Sequence, residues 1–84
     1  MSAHKKFLDR VLRGTSDSSI EFKSLRGLLK RLKFSERIRG DHYIFTRDGV
    51  VEILNLQPTG HNAKAYQVKQ VRKVILQHKL GDDI

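Results

Sequence analysis

The chain has 84 residues, enough for one domain and one modest core. Its 38% hydrophobic and 31% charged content with a single Pro excludes a disordered chain, and the absence of Cys excludes disulfides and thiolate metal sites. A net charge of +8, with pI near 10.2, points to anionic partners: nucleic acid, an acidic protein or an anionic membrane surface.

In chain order, Phe7, Leu8, Val11 and Leu12 recur at helical spacing, which predicts a short amphipathic helix over 4–13 ended by Gly14. The opening Met1-Ser2-Ala3-His4-Lys5-Lys6 leads into no apolar run of signal-peptide length, and no stretch approaches the roughly 20 apolar residues of a membrane span. The expectation is therefore a soluble cytoplasmic protein that uses no membrane. Thr15-Ser16-Asp17-Ser18-Ser19 reads as a polar loop.

Phe22, Leu25, Leu28, Leu29 and Leu32 form the clearest apolar stripe and predict a helix over 22–33. Ser18 and Glu21 have the spacing of a capping box at its start; the competing reading makes Ile20-Glu21-Phe22 extended and starts the helix later. The opposite face carries Lys23, Arg26, Lys30, Arg31 and Lys33, which read as a solvated face and are not assigned to a ligand.

Three strands are expected next, over 35–39, 42–47 and 50–56. Asp48-Gly49 signals a two-residue type I′ hairpin, which pairs Arg47 with Val50, Ile44 with Ile53 and His42 with Asn55. Alternation puts Tyr43, Phe45, Leu54 and Leu56 toward the core and leaves His42 accessible, with Ile44 and Ile53 on the exposed face. Such an apolar patch suits a covering partner protein. Pro58 to Asn62 reads as a loop, 66–79 as a final helix with Val68, Val71, Val74 and Ile75 buried, and Gly81 as its stop. The predicted class is α+β: a three-stranded antiparallel sheet with helices on one face.

The chemistry centres on Gly40-Asp41-His42. A histidine exchanges protons near neutral pH, and RNA carries its own nucleophile in the 2′-OH. One imidazole on a basic surface is then a minimal ribonuclease, with no metal or small-molecule cofactor called for. The bland alternative is a structural histidine at a strand start. The loop before the last helix should leave the sheet near His42, which brings a helix N-terminus there, with Lys64, Lys69, Arg72 and Lys73 on or beside it and Arg39 beside the turn. These five are the candidate phosphate-binding residues. His61 is the candidate second acid; His4 and His78 are weaker, and His42 and His61 lack familiar metal-ligand spacing. Asp82-Asp83 reads as a tail.

Leu28-Leu29-Lys30-Arg31-Leu32-Lys33-Phe34, Arg39-Gly40-Asp41-His42-Tyr43-Ile44-Phe45, Glu52-Ile53-Leu54-Asn55-Leu56-Gln57-Pro58 and Ala65-Tyr66-Gln67-Val68-Lys69-Gln70-Val71 together resemble the HicA toxins, the mRNA interferases of HicAB toxin–antitoxin systems. The resemblance spans about 20–80, as one domain with 1–19 as a helical extension. It implies a fold like double-stranded-RNA-binding domains, an endoribonuclease with its catalytic histidine at His42, mRNA as substrate, and a HicB-like antitoxin covering the site. One departure is Asp41, where the family often has Ser; a carboxylate there favours the protonated imidazole or repels RNA. Two rivals remain: a non-catalytic module that grips duplex RNA by shape, and an inactive protein that docks an acidic partner.

Overall fold

The computed structural model describes residues 3–84, apart from the side chain of Asp83. Among these residues the elements run α1 (Ala3–Arg13), α2 (Phe22–Arg31), β1 (Ser35–Arg39), β2 (His42–Arg47), β3 (Val50–Leu56), β4 (Pro58–Thr59), β5 (Asn62–Ala63) and α3 (Ala65–Gln77), with 3-10 turns at Asp17–Ser19 and Leu80–Asp83. This is a small α+β fold, with an antiparallel sheet in the order β1-β2-β3 and helices on its inner face. No helix among the described residues is long and apolar enough to cross a membrane.

α1 forms where its apolar spacing places it, and Leu8 and Val11 are fully buried. They join the same core as Leu25, Leu28, Val68 and Val71. The expected boundary between an extension (1–19) and a core (20–80) is therefore not a packing boundary; Met1 and Ser2 of that extension lie outside the described residues. Burying Leu8 and Val11 contributes about 1.5–3 kcal/mol each. Gly14 ends α1 at φ +72°, and a Cβ there would lie 3.2 Å from the Arg72 guanidinium. The turn needs glycine for both reasons.

The capping box does not form. Glu21 has extended backbone and pairs with Asn62 as an isolated bridge, flanked by Ala63 N–H to Ile20 C=O (2.8 Å) and Phe22 N–H to His61 C=O (2.9 Å). Ile20 and Glu21 are extended, as the competing reading has it, because their backbone groups pair with the segment before α3; Phe22 is not, and α2 starts there rather than later. α2 ends two residues early. Lys33 adopts the left-handed region at φ +70°, its N–H bonds Lys30 C=O (3.0 Å), and Phe34 N–H bonds Leu29 C=O (3.0 Å). This is a Schellman stop, with Phe34 and Leu29 both buried. α3 stops similarly at Lys79 (φ +54°), not at Gly81 as expected. The chain then closes as a 3-10 turn with Leu80 buried, rather than as a loose Asp82-Asp83 tail.

The sheet keeps the predicted strands but not the predicted register. Arg47 pairs with Val50, yet Phe45 pairs with Leu54, Ile44 with Asn55 and Tyr43 with Leu56. Between those pairs β2 has one residue (Thr46) and β3 has three (Val51, Glu52, Ile53). The turn explains the offset: Gly49 has φ +85° while Asp48 stays at negative φ, so the turn is not type I′ and does not match the strand twist. An excess of two preserves alternation. Phe45, Leu54 and Leu56 are buried as expected, and Tyr43 faces inward, 4.8 Å edge-on to Phe22 and 4.7 Å beneath the Arg26 guanidinium. The ladder now sets His42 level with Gln57 instead of Asn55.

The expected loop over 58–62 is instead the hairpin of β4 and β5, which ends at Ala63 and has Gly60 at φ +63° in its turn. It leads into α3, which packs against the inner face along β3.

Candidate functional site around His42

The β1–β2 turn is Gly40-Asp41, with Arg39 paired to His42 across it. Gly40 supplies φ +59° at the first turn position. His42 therefore projects from the outer sheet face, its side chain 48% exposed. Arg39, Arg37 and Ile44 share that face by register. Ile53 also lies on it and is 67% exposed.

His42 is not a free imidazole. Nδ1 lies 3.2 Å from Asn55 Oδ1, and Nε2 lies 3.2 Å from Gln57 Nε2. Lys64 Nζ donates to Gln57 Oε1 at 2.9 Å. Asp41 Oδ1 is 3.7 Å from Nε2, beyond hydrogen-bond reach. His42, Ile53, Asn55, Gln57, Tyr66, Gln67 and Gln70 line one open hollow, where the outer edge of β3 meets the first turns of α3.

Gln67 holds that corner together. It is 4% exposed, on the buried face of α3. Its Oε1 accepts the Gln57 N–H (2.9 Å), and its Nε2 donates to Asn55 C=O (3.2 Å). One carboxamide thus bonds the open edge of β3 as a neighbouring strand would. Sequence reasoning missed it; the signal was a polar residue within the apolar stripe of α3. Gln57 was also missed as a partner of His42, because the expected register placed Asn55 alone beside it.

The candidate phosphate ligands divide. Arg39 and Lys64 are brought to His42. Lys69 is exposed on α3, and Lys73 is exposed beside the β3–α3 groove with Glu52, Ile53 and Gln70. Arg72 is not brought to the site. Its guanidinium takes both carboxylate oxygens of Asp17 (2.9 and 3.1 Å) and Val11 C=O (3.2 Å). The Asp17 bond raises its pKa further and fixes it as a structural cation.

The other histidines stand apart. His61 sits at the β4–β5 turn and does not line the His42 hollow, contrary to the expectation of a second acid there. His78 Nε2 bonds Glu52 Oε1 (2.8 Å), which holds that carboxyl below its usual range. His4 lies beside Phe7, Ser24 and Gly27. Of the basic face of α2, Arg26 forks onto Glu36 (2.7 and 3.0 Å) and Lys30 adds a bond at 3.0 Å. No three His, Asp or Glu side chains among the described residues converge as metal ligands.

The corner offers one proton-exchanging group, the amides of Asn55 and Gln57 against its ring, the exposed Asp41 carboxylate 3.7 Å from Nε2, and the cations Arg39 and Lys64 beside it. That set suits proton transfer at a phosphodiester. Comparison with known proteins finds no matching family model, no similar curated protein and no similar solved structure.

Proposed function

We propose that this chain is a HicA-like toxin: a cytoplasmic endoribonuclease that cuts mRNA with His42 and is restrained by a HicB-like antitoxin. In support, α2, β1, β2, β3 and α3 follow one another in the order of the double-stranded-RNA-binding-domain-like fold that the resemblance implies, with the short β4–β5 hairpin added before α3. The observation that carries the reading is the half-exposed imidazole of His42, set between Arg39 and the Lys64–Gln57 pair on a chain of net charge +8.

In this mechanism the RNA backbone lies across the outer face and α3, met by Lys69 and Lys73. His42 exchanges the proton of the 2′-OH as that oxygen attacks the adjacent phosphorus and the 5′ oxygen leaves. Arg39 and Lys64 stabilise charge growing on the phosphorane. A metal is not needed, since the substrate supplies the nucleophile. A single positioned acid–base group gives about 100- to 10,000-fold, so turnover is slow. The exposed Ile53 and Val51 beside the site suit burial under the antitoxin.

The test uses purified protein in excess chelator. Single-stranded RNA should be cut to 2′,3′-cyclic phosphate and 5′-hydroxyl ends, and DNA of the same sequence should survive. Binding of duplex RNA without any cutting would replace this reading with the non-catalytic module.

A further inference from the structure

We propose that Asn55 and Gln57, with Lys64 behind Gln57, hold His42 as the neutral tautomer protonated on Nδ1, which leaves Nε2 as the nitrogen that takes a proton. Lysine has only donors, so the Gln57 atom it reaches at 2.9 Å is the carbonyl oxygen. That contact fixes the orientation of the amide and turns its NH2 toward His42 Nε2, 3.2 Å away. An NH2 group only donates, so Nε2 accepts and carries the lone pair. The single ring proton is then on Nδ1, facing Asn55 Oδ1 at 3.2 Å. No donor meets a donor in the chain Lys64–Gln57–His42–Asn55.

Gln67 makes the arrangement rigid from beneath. It bonds the backbone N–H of Gln57 and the backbone C=O of Asn55, the two residues whose side chains flank the imidazole. Asn55 and Gln57 are therefore positioning residues for His42, and Lys64 holds the Gln57 amide until substrate displaces it. A ring proton on Nε2 would oppose the Gln57 NH2, and Gln57 would have to turn aside.

The tautomer gives His42 its first task, and this step rests on the ribonuclease reading above. The 2′-OH displaces the Gln57 amide and passes its proton to Nε2. The O2′–P bond forms, the P–O5′ bond breaks, and the departing 5′ oxygen takes a proton from the imidazolium. His42 starts as the base and becomes the acid.

The tautomer is read without any RNA. Long-range 1H–15N correlation spectra of the full chain, labelled at histidine, show which ring nitrogen bears the proton; His42→Ala identifies the His42 signals. At alkaline pH, where the ring is neutral, His42 should show Nδ1–H. Gln57→Glu puts an acceptor where the donor was, so the proton should move to Nε2. Asn55→Leu removes the acceptor from Nδ1–H and should shift the population toward Nε2–H. Nε2–H in the wild type, or an Nδ1–H signal that ignores both variants, overturns the proposal. If either variant fails to fold, the wild-type spectrum decides. A wild type that shows Nδ1–H but cuts no RNA sinks the ribonuclease reading and leaves the tautomer standing.

Discussion

Arg72 and Asp17, 55 residues apart, meet in a two-pronged ion pair at 2.9 and 3.1 Å, with side chains 19% and 10% exposed. The pair pins the turn after α1 to α3, and the same guanidinium caps Val11 C=O at the end of α1.

Arg72→Ala should therefore destabilise the protein by about 2–3 kcal/mol, since it strands a nearly buried carboxylate and a helix-end carbonyl. A domain this size loses roughly 4–8 °C in Tm per kcal/mol. Lys69→Ala and Lys73→Ala should stay within about 0.5 kcal/mol of wild type. Urea unfolding of the three variants separates these cases. Equal stability for all three would return Arg72 to the pool of free cations.

The α2 stop makes an opposite prediction. Lys33 holds a left-handed conformation that costs an L-residue about 1–2 kcal/mol and costs glycine little. Lys33→Gly should raise stability by about 1 kcal/mol, less whatever glycine adds to the entropy of the unfolded chain. Thermal unfolding reads this directly; a lower Tm would mean that the Lys33 side chain contributes more than its backbone costs.

Glu36 links stability to pH. Its bonds to Arg26, and after them to Lys30, hold its carboxyl below the ordinary value of 4.5. The sign follows from linkage: a lowered folded pKa adds stability above the unfolded pKa, and that stability is lost as pH falls through the folded pKa. Wild type should exceed Glu36→Gln by on the order of 1 kcal/mol at neutral pH, and the gap should close under acid. A gap that persists at the lowest pH would assign the effect to packing.

RNA affinity should fall with salt, each phosphate contact adding about 0.7 to the slope for a single strand. Lys69→Ala and Lys73→Ala should each reduce that slope by about one contact. Filter binding at four salt concentrations measures it; unchanged slopes would move the RNA path off α3.

Much of this architecture was legible because periodicity is a local property. Apolar spacing placed three helices, alternation placed three strands, and a glycine turn placed His42 on an open face. What was not legible depended on pairing at a distance. The β2–β3 register slipped by two because Asp48 keeps negative φ, a choice that Asp-Gly permits in either direction. Arg72 read as one more cation because Asp17 lies far away in sequence. Gln67 was given no role, because the edge it satisfies exists only once β3 and α3 are packed. The helix stops fall on left-handed lysines, Lys33 with no glycine to signal it and Lys79 two residues before the glycine that was read as the stop.

Growth after induced expression of wild type and His42→Ala, with cellular RNA followed by gel, tests most directly whether His42 carries catalysis. The expected result is arrest and loss of mRNA with wild type only, while His42→Ala accumulates as folded protein. Arrest with both proteins, or with neither at equal soluble levels, would contradict it.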